Sequence, residues 1–192
     1  MIRIDIIIQN YEKTKREILV EYDKDSFFEN WQENETWEVS FNVTKTDLNS
    51  TAFDLVDYES SVIFNGQEFV IKQMTTSAEG KAVSKSVTAT HIYYTIQDGR
   101  QYDTVTGTRS ISQLLTHIFN AGARGFTWEV VDPNKKFLTV EQENFGNANY
   151  LKLIEEILSD YDAVVIPNNQ RLTFYPRSEY GNKIEEQIRY KY

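Results

Sequence analysis

Val62-Ile-Phe64, Asn65-Gly66, Gln67-Glu-Phe-Val-Ile71 is the stretch that decides how this chain folds. Two runs of β-branched and aromatic residues flank a pair that both tolerate positive φ. That is the requirement of a two-residue type I′ turn, and the turn fixes a register in which Val62 faces Phe69. Upstream, Trp37, Val39, Phe41 and Val43 alternate with Glu38, Ser40, Asn42 and Thr44, the period-2 pattern of a half-buried strand. Ile2, Ile4, Ile6 and Ile8 alternate in the same way, broken only by Ile7, and Ile18, Val20 and Tyr22 form a further short strand. Downstream, the chain reverses at Glu79-Gly80, and Val83–Tyr94 reads as one long strand. An antiparallel meander of this kind closes most simply as a barrel or sandwich.

The texture changes over Gln97–Thr108, where a domain boundary is expected. Ser110 then opens a helix, with Gln113 completing a capping box. Ile111, Leu114, Leu115, Ile118 and Phe119 form its apolar stripe, and Gly122 ends it. Short strands are expected at Thr127–Val131 and Phe137–Val140, around the turn Asp132-Pro133-Asn134. A second helix starts at Asn147 or Asn149 and presents Tyr150, Ile154, Ile157, Leu158 and Tyr161. A hairpin through Asn168-Asn169 joins Ala163–Ile166 to Leu172–Tyr175. Gln187–Tyr192 reads as the opening of a further strand, which suggests a fragment of something longer. The expected fold is therefore β-rich α+β: a barrel-like domain over 1–104, a small α/β domain over 105–176, and a return strand starting in 177–192.

The 192 residues are 40% hydrophobic and 14% aromatic, which is enough for a packed core and favours strands. The absence of cysteine excludes disulfides and thiolate metal sites and points to synthesis in a reducing cytoplasm. Asp5 interrupts the apolar start, against a signal peptide, and no run approaches the ~20 apolar residues of a membrane span. The net charge of −9 argues against a protein that binds nucleic acid by neutralising phosphates.

No catalytic, cofactor-binding or metal-ligating constellation is expected. His91 and His117 lack helical i, i+4 spacing and a third ligand, and read as packing or interface residues. There is no Gly-x-Ser-x-Gly elbow and no phosphate-binding glycine loop; Gly122-Ala-Arg-Gly125 is a helix-end turn. The pairs Asp23/Asp25 and Asp160/Asp162 have a spacing common in solvated turns, and Glu155-Glu156 and Glu185-Glu186 read as solvated faces. The cluster Phe27-Phe28-Glu-Asn-Trp31 reads as a core plug or a subunit contact. Its other reading is a stacking surface for sugars, as in a module binding cell-wall polymer.

The order of these parts resembles the N-terminal region of the prophage endopeptidase tail family, the tail-associated lysins at the tips of siphophage and prophage tails. Trp37-Glu-Val-Ser-Phe41, Phe64-Asn-Gly-Gln-Glu-Phe-Val-Ile71 and Val87-Thr-Ala-Thr-His-Ile-Tyr-Tyr94 carry the match, followed by the helix–strand–helix–hairpin region. The resemblance implies a structural protein of the virion, similar to baseplate hubs. In such hubs three copies form a ring below the hexameric distal tail protein, with the tape measure protein as a neighbour and DNA passing through without specific binding. The α/β domain would be an insert into the first barrel. It also implies that a peptidoglycan hydrolase or receptor-binding extension, where present, lies outside these residues.

Overall fold

The computed structural model describes residues 5–180. The expected strand at Gln187–Tyr192, the pair Glu185-Glu186 and the residues Ile2 and Ile4 lie outside them. The chain divides into two compact units, one ending at Ile92 and one starting at Tyr93. Residue 105, where the sequence suggests a boundary, falls within a strand.

The first unit is one antiparallel sheet of β1 (Ile6–Gln9), β2 (Arg16–Leu19), β3 (Tyr22–Gln32), β4 (Thr36–Thr44), β5 (Ser61–Phe64), β6 (Gln67–Glu79) and β7 (Ala82–His91), with α1 (Ser50–Leu55) between β4 and β5. The strand order is β2-β1-β5-β6-β7-β4-β3. The β5–β6 hairpin has the expected register, Val62 opposite Phe69, with Asn65 at φ 50° and Gly66 at φ 77°. Val39, Phe41 and Val43 of β4 are buried, as their alternation requires.

Among the described residues the expected closed barrel does not form: β2 and β3 stand at opposite ends of the hydrogen-bonded order. Leu19 and Tyr22 are nonetheless three residues apart, within ~11 Å along the chain. The sheet therefore curls until its two edges approach at one corner. Glu21, at φ 54°, turns the chain there and no ladder forms. Ile6, Ile8, Leu19, Phe41, Phe69 and Ile71 lie within the curl, with Ala52 and Phe53 of α1.

Two strands differ from the sequence reading. Leu19 is the buried residue of β2, while Ile18 and Val20 are exposed, so this short strand sits one residue out of the expected phase. β7 stops at His91, and Ile92–Asp98 forms a 3₁₀ helix. The consecutive apolar residues Ile92-Tyr93-Tyr94 break the alternation, and Tyr93 and Ile96 are buried at three-residue spacing instead.

The second unit contains β8 (Arg100–Arg109), α2 (Ile111–Asn120), β9 (Thr127–Val130), β10 (Val140–Asn149), α3 (Tyr150–Asp160), β11 (Ala163–Asn168) and β12 (Arg171–Pro176). β8 pairs with β10, and a second sheet has the order β11-β12-β9, with β12 and β9 parallel. The capping box of Ser110 and Gln113 is formed. Asn149 caps α3 through Lys152 N–H at 2.9 Å. Ile111, Leu114, Leu115 and Ile118 pack with Tyr150, Leu153, Ile154 and Ile157 over Val165, Leu172 and Phe174. The turn between β11 and β12 is Asn169-Gln170, because Asn168 pairs with Arg171. The expected strand Phe137–Val140 shares only its last residue with β10.

Candidate functional site

The residues with chemical potential are occupied by structure. His91 is fully buried on β7, stacked on Trp37 with centroids 4.1 Å apart and edge-on to Phe69 at 5.2 Å. Its Nε2 lies 3.1 Å from Gln67 Oε1. Burial lowers its pKa to about 4, so the ring is neutral at pH 7. His117, at the last turn of α2, places Nε2 3.1 Å from the Asp103 carbonyl. His91 and His117 belong to different units, and no group of three or more His, Cys, Asp or Glu side chains among the described residues could hold a metal.

Asp160 and Asp162 lie at the turn between α3 and β11. Asp160 accepts from Gln142 Nε2 at 3.0 Å, and Asp162 pairs with Arg177 Nε at 3.1 Å. Asp23 accepts from the Asp25 backbone N–H at 3.1 Å, on the bulged start of β3. Glu155 and Glu156 lie along α3, Glu155 exposed.

The aromatic cluster splits. Phe27 packs on Phe64, centroids 4.7 Å apart, while Phe28 and Trp31 are exposed. From Phe28 onward β3 pairs regularly, with Phe28 opposite Ser40 and Trp31 opposite Trp37. Successive side chains alternate faces, so Phe28 and Trp31 lie on opposite faces of the sheet. They do not form one flat platform for a sugar, which weighs against the sugar-binding reading.

One site was not legible in the sequence. A cavity of about 520 Å³ opens between the β1–β2 loop and the segment joining α1 to β5. It is lined by Tyr11, Glu12, Asp54, Asp57, Tyr58 and Ser60, among others. These positions come together only because β1 and β5 are paired, Gln9 opposite Ser61. Both walls are held locally. Asn10 Oδ1 accepts from the backbone of Thr14 at 3.0 Å and Lys15 at 2.7 Å, and the Tyr58 hydroxyl donates to the Met74 carbonyl at 2.9 Å.

The curled sheet and the two-helix unit occur together in solved phage tail proteins. The chain is similar to the tail protein of Neisseria meningitidis (TM-score 0.58, 8% identity, 90% of this chain and 50% of that one). It is likewise similar to a prophage tail protein of Shewanella oneidensis (TM-score 0.58, 10% identity, 91% and 56%). At those identities the fold alone is shared. The prophage tail protein gp18 of Listeria monocytogenes is 51% identical, with TM-score 0.84 over 91% of this chain and 51% of its own. Residues 6–91 match the prophage endopeptidase tail N-terminal domain, and 98–174 match the prophage endopeptidase tail domain. A search of curated proteins found no match. The chain belongs to the prophage endopeptidase tail family, and so to the phage tail proteins. It spans about half the length of the solved Listeria protein.

Proposed function

We propose that this chain is a structural part of the phage tail tip, three copies of which form a hub ring below the hexameric distal tail protein. The observation that carries the proposal is the 51% identity to a prophage tail protein across 91% of the chain. In this reading the ring adjoins the tape measure protein, and DNA passes through its lumen without specific binding. The net charge of −9 supports that role, because an acidic surface repels phosphates. The unit from Tyr93 onward, which has its own apolar core, corresponds to the inserted α/β domain. A wall-hydrolysing or receptor-binding region of the wider protein would lie outside these residues.

Light scattering at rising protein concentration tests the ring. A mass near three times 22.5 kDa is the expected result. A mass that stays at one copy up to high load counts against a ring formed by these residues.

A further inference from the structure

The sheet of the first unit ends in two different edges. Among the described residues β2 and β3 stand last on either side of the strand order, and they do not pair with each other. A sheet edge presents a row of backbone donors and acceptors, which natural sheets blunt with lysine, proline, a bulge or a covering element. On β3 the bulge ends at Phe28, and Phe28-Glu-Asn-Trp-Gln32 carries neither lysine nor proline. Of the exposed large apolar side chains of this unit, Ile18, Val20, Phe28 and Trp31 lie on or beside these two strands. Leu19 pairs with buried Ile6, so Ile18 points away from the core. Glu29 pairs with buried Val39, so Phe28 and Asn30 point away from it too.

The charges of the two edges are complementary. Lys15 and Arg16 open β2, while Asp23 and Asp25 lie at the start of β3 and Glu33 and Glu35 just past its end. Lys15, Arg16 and Glu35 are exposed and make no ion pair among the described residues. Two β3 strands laid antiparallel about Asn30 would set Asp25 against Glu35, like charge against like. A β2 strand laid antiparallel on β3, core sides together, can place Ile18 opposite Phe28, Asn30 or Gln32. The first register sets Glu17 against Glu29, and the third sets Glu17 against Glu33. The middle one sets Lys15 against Glu33, with Glu35 on the diagonal, and brings Val20 to Phe28.

We propose that the β2 edge of one copy adds antiparallel to the β3 edge of a second copy of this chain, with Ile18 opposite Asn30 of the next copy. Backbone hydrogen bonds join the strands, and the charged and apolar pairs select the register. Each contact joins two unlike surfaces and leaves one of each open, the kind of interface that closes as a ring rather than a twofold pair. The inference rests on the ring reading and names the contact that makes it. β2 supplies four residues, so the ladder is short and the association in solution weak.

The absence of cysteine makes the test clean. The full chain is prepared as Ile18→Cys and, separately, as Asn30→Cys, and the two are mixed at about 1 mM under mild oxidation. Directly opposed strand positions are within reach of a disulfide. The mixture is expected to give at least about fivefold more cross-linked dimer than either chain alone. Lys15→Glu on the Ile18→Cys chain is expected to lower that yield severalfold, and Glu35→Lys on the other chain to recover part of it. All four positions lie on or beside the edge strands, and far-UV circular dichroism checks that each variant is folded. No excess of mixed product, cross-linking of Asn30→Cys with itself, or a yield indifferent to Lys15→Glu would each overturn the proposal. A threefold mass in light scattering with no mixed product would defeat this contact and leave the ring standing, so the two failures are distinct.

Discussion

In the first unit the β5–β6 hairpin turns on two residues, Asn65 and Gly66, and its register follows directly from them. In the second unit the β8–β10 ladder changes register twice, between Gln142 and Phe145 and between Gly146 and Ala148. Asn144, Gly146 and Asn147 all have positive φ there, as bulged strands require. The first unit is held by one continuous sheet curled on its own apolar face. The second relies on two capped helices that cover short strands. The same residue types, Asn and Gly, thus end strands in one unit and bend a strand in the other.

If the two cores are separate, a large hole in one should be felt mainly there. Phe69→Ala and Phe174→Ala each remove a fully buried ring, one from each core. Each is expected to cost about 3–5 kcal/mol. Hydrogen exchange should show Phe69→Ala loosening β5–β7 more than β11 and β12, and Phe174→Ala the reverse. Equal loosening of both units by either variant would break the comparison.

The glycines sharpen it. A Cβ on Gly146 would lie 2.0 Å from the Asp103 carbonyl oxygen, on top of a φ of 135°. Gly146→Ala is expected to cost about 3 kcal/mol or more in urea unfolding. Gly66 has open space around it and φ 77°, so Gly66→Ala should cost only ~1–2 kcal/mol, the left-handed penalty.

His91 makes the first unit sensitive to acid. Its folded pKa, about 4, lies below the ordinary 6.5, so the unfolded chain takes up the proton first. The stability from a neutral His91 is complete above pH 6.5, falls as pH drops towards 4, and changes no further below that. The loss is up to ~3 kcal/mol. His91→Phe should flatten this slope in denaturation curves measured between pH 4 and 7; an unchanged slope would remove His91 as its source. The smallest effects belong to the helix caps of the second unit. Ser110→Ala and Asn149→Ala should each cost ~1 kcal/mol by thermal unfolding.

Much of this architecture was legible where the local signal and the tertiary outcome agree. The Asn65-Gly66 turn, the alternation of β4, the Ser110 box and the apolar stripes of α2 and α3 each carry their own cause. β8 and β10 were not legible as strands. Their pairing leaves little alternating apolar pattern, and the glycine and asparagine residues that signal turns elsewhere form bulges here. Nor could alternation tell a curled open sheet from a closed barrel, since both bury the same face. The cavity at Ser60 was hidden for another reason: Tyr11 and Tyr58 are distant in sequence and meet only through the pairing of β1 with β5.

The central claim, a structural place at the tail tip, is tested most directly by gold-labelled antibody against this chain on intact phage particles under the electron microscope. The account predicts gold at the tip of the tail, below the tube. Gold along the tail shaft or on the head, or particles that carry none while the chain is present in the lysate, would contradict it.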